Sequence, residues 1–195
     1  MKKFHTFIFD LGGVVNDHDN KKLLSRLSMK CTDKTSEDDI FKKFRDVSYS
    51  TGERSVIEFF TMIKREFGYR DDWNTFNEDW CCHLSMRPGM LDYLAELKKT
   101  ARIVFLSNTN LLHWTRLLEL SDFKLADYEA FLSFDMGLVK PSRAIFEKVL
   151  QAADINPAGT LFVDDLRENV DQARACGLKA VLYQDQQQFE AFLNN

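Results

Sequence analysis

Apolar residues along this chain follow two kinds of pattern. Short runs bounded by polar residues or glycine occur at FHTFIF (4–9), ARIVFL (101–106), AFLSF (130–134), TLFV (160–163) and KAVLY (179–183). They are rich in Phe, Ile and Val, and several are apolar throughout, as strands covered on both faces are. Between most of them, apolar positions recur at three and four residues. Met90, Leu91, Leu94 and Leu97 share one face of PGMLDYLAELKK, with Pro88 near a helix start. Ile145, Phe146, Val149, Leu150 and Ala153 do the same in PSRAIFEKVLQAA. Strands alternating with helices predict a parallel sheet with crossover helices on both faces.

Residues 17 to 86 break that rhythm. They hold no convincing strand but several amphipathic stretches. In SVIEFFTMIKREFG, Val56, Phe59, Phe60, Ile63 and Phe67 form one stripe, and SEDDIFKKFRDV offers Ser36 as an N-cap. The expected organisation is an α/β core from residues 1–16 and 87–195, with an all-helical cap, 17–86, inserted after the first strand. The aromatics Phe44, Tyr49, Trp73, Phe76 and Trp80 are expected to build the cap's own core, with a pocket lining as the alternative. DQQQF near the end reads as a polar turn.

Composition agrees with this picture. A length of 195 residues suits a main domain with a smaller insertion, and 45% apolar residues, 17 of them Phe, suffice for a core. A formal charge of -4 argues against a nucleic-acid partner. Small anions remain compatible, because a local pocket can oppose the global sign. Cys31, Cys81, Cys82 and Cys176 form no C-x-x-C pair and read as reduced thiols of a cytoplasmic protein. The apolar run after Lys2 and Lys3 is too short for a signal peptide, and no apolar window approaches the roughly 20 residues that span a bilayer.

The chemistry lies at the strand ends, where open parallel sheets bind ligands. The first run ends in Asp10-Leu11-Gly12-Gly13, the second in Ser107-Asn108, and the fourth in Asp164-Asp165; Lys140 follows the third. Each has an ordinary role alone: a turn cap, a helix cap, a solvated lysine, acids at a helix N-terminus. Adjacent carboxylates, however, repel unless a cation sits between them. Together the set suits attack of a carboxylate on phosphorus. Asp10 would accept the phosphoryl group covalently, dividing a hard displacement into two easier steps. Asp10 and the acidic pair offer the hard oxygens that Mg²⁺ prefers. Ser107 and the backbone N–H groups after it would hold a phosphate oxygen, Lys140 would neutralise charge, and the two glycines would let the backbone approach the ligand.

FIFDLGGVV, VFLSN, GLVKP and LFVDD resemble, in order, the four motifs of the haloacid dehalogenase superfamily of hydrolases. The resemblance spans nearly the whole chain, the cap by position and helicity only. It is nearest the glucose-1-phosphate phosphatase branch and the N-terminal phosphatase domain of soluble epoxide hydrolase. It implies a Rossmann-like parallel sheet and a Mg²⁺-dependent phosphatase of small phosphomonoesters such as sugar phosphates. Asp10 would be nucleophile and metal ligand, joined by the Gly12 backbone carbonyl and by Asp165 as a direct ligand, with Asp164 behind them or bound through water. Ser107, Asn108 and Lys140 would hold phosphate, and Asn169 would support the site. One departure matters. Where most such phosphatases carry a second Asp as general acid and base, this chain has Gly12. Such a group is worth about 10²–10⁴ in rate. Asp17, His18 and Asp19, just downstream, are the candidate substitutes.

Three other readings compete. A non-catalytic phosphometabolite-binding or regulatory protein would explain the missing acid but has no need of Asp10. A haloacid dehalogenase needs no metal and usually carries Tyr at the position of Gly12. A phospho-receiver domain uses the same residue types, but with the acidic pair on its first strand.

Overall fold

A computed structural model describes residues 4–32 and 34–194 of the chain. Five parallel strands form the central sheet: β1 (Thr6–Phe9), β4 (Arg102–Ser107), β5 (Glu129–Leu132), β6 (Thr160–Asp164) and β7 (Lys179–Leu182), in the order β5-β4-β1-β6-β7. β1 lies in the middle, with Phe9 paired to Phe105 on one side and Val163 on the other. Chain order reverses here, which opens a crevice beyond the carboxyl end of β1.

Alternate side chains of the strands build two cores, because successive residues point to opposite faces. Phe7, Phe9, Ile103, Phe105, Leu161 and Val163 pack with Met90 and Leu94 of α5 (Met90–Lys98), Leu117 of α6 (Leu111–Leu120) and Phe189 of α10 (Gln186–Asn194). Ile8, Val104, Leu106 and Phe162 face the other way. They meet Ile145, Phe146 and Val149 of α8 (Arg143–Ala152) and Ala173 of α9 (Arg167–Ala175). Both faces are therefore covered, as the uninterrupted apolar runs require. A short helix, α7 (Ser133–Met136), follows β5.

Among the described residues the inserted segment carries four α-helices, α1 (Asn20–Ser28), α2 (Glu37–Phe44), α3 (Val56–Phe67) and α4 (Trp73–Cys81). Ser36 caps α2 as its sequence suggests, in a reciprocal capping box with Asp39; Ser55 and Glu58 do the same for α3. These helices form a third apolar cluster around Leu23, Leu27, Ile40, Phe59, Ile63, Phe76 and Trp80.

Two features differ from the sequence expectation. The segment is not wholly helical, because β2 (Asn16–His18) pairs antiparallel with β3 (Leu84–Met86) where the chain leaves and rejoins the sheet. These three-residue strands are too short and too polar to leave a pattern, and each exists through its partner. DQQQF is not a turn but the start of α10. Asp185 accepts the Gln188 amide at 2.7 Å, and Phe189 anchors the helix in the core. Among the described residues no helix is long and apolar enough to cross a membrane. All four cysteines are free.

Candidate active site

β1 delivers Asp10 to the crevice while the main chain remains in the sheet: the Asp10 amide donates to the Val163 carbonyl at 2.9 Å. The Asp10 carboxylate accepts from the Leu11 amide at 2.7 Å and from the Lys140 ammonium at 2.9 Å. Lys140 also reaches Asp164 at 2.7 Å. Its side chain is 1% exposed, far from the solvated lysine its place before Pro141 suggests. Asp164, wholly buried, also accepts from the Leu166 amide at 2.8 Å and from Asn169 at 2.9 and 3.0 Å. Asn169 thus holds a carboxylate in place.

A cavity of about 280 Å³ opens above this network, and Asp10, Gly12, His18, Ser107, Asn108, Lys140, Asp165 and Asn169 all line it. Asp164 lies behind it, yet oxygens of Asp10, Asp164 and Asp165 fall within 4.8 Å of one another. Gly13 makes room for Asp165: a Cβ there would sit 2.0 Å from Asp165 Oδ2, and its φ of +72° is one few other residues adopt. Phe44, Tyr49 and Trp80 from the insertion form part of the cavity wall. Trp73 and Phe76 stay in the insertion's apolar cluster.

Ser107 and Asn108 do not cap α6. Asn110 does, accepting the His113 amide at 3.1 Å. Asn108 instead clasps the Lys140 main chain at both ends, donating to its carbonyl and accepting its amide, each at 2.8 Å. Ser133 treats Thr109 similarly: its hydroxyl accepts the Thr109 amide at 2.9 Å and donates to the Thr109 carbonyl at 3.1 Å. Of the three candidates for the missing acid, two are engaged elsewhere. Asp17 pairs with Arg87 at 2.6 Å, and Asp19 caps α1 by accepting the Lys22 amide at 3.0 Å. His18 alone faces the cavity, with its Nδ1 3.3 Å from where a Gly12 Cβ would lie.

Three carboxylates facing one ammonium leave the site short of positive charge. Burial pushes the Asp10 carboxyl up to about 7 against the pull of Lys140, and Asp164 adds to the rise. Burial and Asp164 raise Asp165 as well. For Lys140, burial works against the charge, but Asp10 and Asp164 outweigh it and hold the ammonium above its ordinary value. Clustered hard oxygens with a charge deficit fit a divalent cation such as Mg²⁺.

The haloacid dehalogenase-like hydrolase family model matches residues 4–177. The chain is a member of that family. This haloacid dehalogenase-like hydrolase is 27% identical over 186 residues to D-ribitol-5-phosphate phosphatase from Bacteroides thetaiotaomicron, covering 88% of each protein. Solved structures of a HAD-family enzyme from the same organism are similar throughout. A variant in complex with magnesium and inorganic phosphate is 25% identical, with a TM-score of 0.84 over 95% of this chain and 98% of that one. A magnesium complex is also 25% identical, with a TM-score of 0.87 and full coverage of both chains.

Proposed function

We propose that this hydrolase is a Mg²⁺-dependent phosphatase of small phosphomonoesters, with Asp10 as nucleophile and sugar or sugar-alcohol phosphates as substrate class. The observation that carries it is Lys140 bridging Asp10 and Asp164 beneath the cavity, with Asp165 beside them. The 27% identical relative is named for a sugar-alcohol phosphate, which supports the class. Asp10, the Gly12 carbonyl and Asp165 would hold Mg²⁺, with Asp164 behind them. Bound there, it would screen the nucleophile's charge from that of the phosphate.

Asp10 attacks phosphorus, and the P–O bond to the leaving oxygen breaks as the new O–P bond forms. Ser107 and the Asn108 amide hold a non-bridging oxygen. Lys140 offsets the charge gathering on the phosphoryl group, and Asn108 fixes Lys140 by its main chain. His18 gives the leaving oxygen its proton. Water then attacks the acyl phosphate, His18 takes its proton, and inorganic phosphate leaves with the Asp10 carboxylate restored. The first test is turnover of p-nitrophenyl phosphate with Mg²⁺. It should vanish with a chelator and in Asp10→Asn; turnover that survives either treatment rejects the proposal, and a wild type that binds phosphate without turnover makes the chain a binding protein.

A further inference from the structure

We propose that Asn110 and His113 are positioning residues that set the leaving-group wall of the cavity from the phosphate end, and so select a hydroxyl-rich leaving group. The role rests on the phosphatase reading above. It begins three residues beyond Ser107. The Asn110 amide stands 3.1 Å from His113 Nδ1, and His113 Nε2 stands 3.2 Å from the Trp80 carbonyl in the last turn of α4. That carbonyl is one of the four that a helix C-terminus leaves without an internal partner.

Only one arrangement of protons satisfies every group. A carbonyl accepts only, so His113 Nε2 must donate to Trp80. The ring is buried, which pushes its pKa down to about 3, so it is neutral and carries a single N–H. Nδ1 must therefore accept, and Asn110 must present its NH₂ group there while its oxygen takes the His113 amide. The result is a fixed relay from the end of β4, through α6, to the insertion.

What it fixes is the wall. The His113 ring lies along that of Trp80, with centroids 5.3 Å apart and an interplanar angle of 23°, and His83 meets it edge-on at 4.9 Å. Trp80 and His83 both line the cavity, and Trp80 Nε1 and His83 Nδ1 are buried without a hydrogen-bond partner. Neutral hydroxyls are the groups that would satisfy an indole N–H and an uncharged imidazole nitrogen once a bound leaving group uncovers them. A wall displaced by about 1 Å can cost about a hundredfold in rate for a substrate that depends on it.

The test compares wild type, His113→Leu, which keeps bulk and loses both hydrogen bonds, and His113→Gln, which keeps a donor. Two quantities are measured: kcat/KM for p-nitrophenyl phosphate against the best of ribitol 5-phosphate, glucose 1-phosphate and glucose 6-phosphate, and amide exchange over residues 77–86. In His113→Leu the ratio should shift against the hydroxyl-rich ester by about tenfold or more, and exchange at Trp80–His83 should quicken while the central sheet is unchanged. His113→Gln should recover most of both. Equal losses on both esters, or no loss on either, would overturn the proposal. If wild type turns over no ester, the phosphatase reading fails instead, and unchanged exchange in His113→Leu then overturns the positioning role on its own.

Discussion

Mg²⁺ and the Asp10 proton should compete for one site. The Asp10 carboxyl rises from an ordinary 3.8 to about 7 in the folded protein, chiefly through burial. Between those values the folded protein holds a proton that the unfolded chain has released. Metal-free stability from this group is therefore full below about pH 4 and declines as pH climbs towards 7, by up to about 1.4 kcal/mol per unit. A cation reverses the slope, because it needs the ionised carboxylate. At about pH 5.5 binding must first expel the proton, at a cost of about 2 kcal/mol, or about thirtyfold in affinity relative to pH 8. Thermal midpoints recorded across a Mg²⁺ titration at the two pH values give the apparent affinities. Asp10→Asn, which has no proton to expel, should bind more weakly at pH 8 and lose most of the pH dependence. Affinities within about threefold of each other at both pH values, or an unaltered pH dependence in Asp10→Asn, would refute the reasoning.

Gly13→Ala should lower the unfolding midpoint by the equivalent of more than about 1 kcal/mol and abolish the Mg²⁺-induced rise, since both its φ of +72° and the Asp165 carboxylate 2.0 Å from the new Cβ oppose it. Gly12→Ala, which meets only the His18 ring at 3.3 Å, should fold normally and serves as the control. If His18 supplies the leaving-group proton, His18→Ala should slow alkyl phosphates by about a hundredfold and p-nitrophenyl phosphate by less than tenfold, because nitrophenolate leaves without a proton. Adding Gly12→Asp should restore part of the alkyl rate; equal losses on both esters would exclude His18 as the acid. In the insertion, Asp79 is 1% exposed and bonded to Arg26 at 2.9 Å, Lys30 at 2.7 Å and Tyr69 at 2.6 Å. Burial alone would raise its carboxyl, yet these partners hold it below the ordinary value. The stability it contributes is thus present at neutral pH and lost as pH falls below about 4. Because both cations reach water, Asp79→Ala should cost about 1–3 kcal/mol in denaturant unfolding rather than the full cost of a sealed ion pair.

The inner strands β1, β4 and β6 were legible because strands covered on both faces are apolar almost throughout. The edge strands β5 and β7 are half-exposed, and the run AFLSF proved to be β5 followed by the start of α7. The strand-end acids were legible for the complementary reason: Asp10 and Asp164-Asp165 interrupt runs that otherwise bury every side chain. β2 and β3 were not, because NDH and LSM become strands only by finding each other across some 65 residues of insertion. Lys140 was legible only as a member of the ordered set of strand-end residues. Nothing local distinguishes it from a solvated lysine; its burial follows from Asp10 and Asp164 arriving on two other strands. The roles of Asn110, His113 and Ser133 are hidden in the same way. An Asn three residues before a His at a helix start is a readable cap, but the reach of His113 to Trp80 crosses 33 positions and leaves no trace in spacing.

The two ends of the cavity are built on different principles, and this bears on how one fold can serve many substrates. At the phosphate end nearly every group is already committed. Asn169 and the Leu166 amide hold Asp164, Asp164 and Asp10 hold Lys140, Asn108 holds the Lys140 main chain, and Ser133 holds Thr109. Dipoles fixed in advance need no reorganisation when charge develops, which is where electrostatic catalysis gains most. A substitution there disturbs several partners at once, so the phosphate end tolerates little change. The opposite wall has Trp80 and His83 nitrogens still without partners, on a segment tied to the core through His113 and the β2–β3 ribbon. Changing those side chains alters what the leaving group meets without touching Asp10 or its neighbours. On the proposed reading the sheet sets most of the phosphate chemistry, while the insertion supplies His18 and much of the opposite wall, tied to the core through His113.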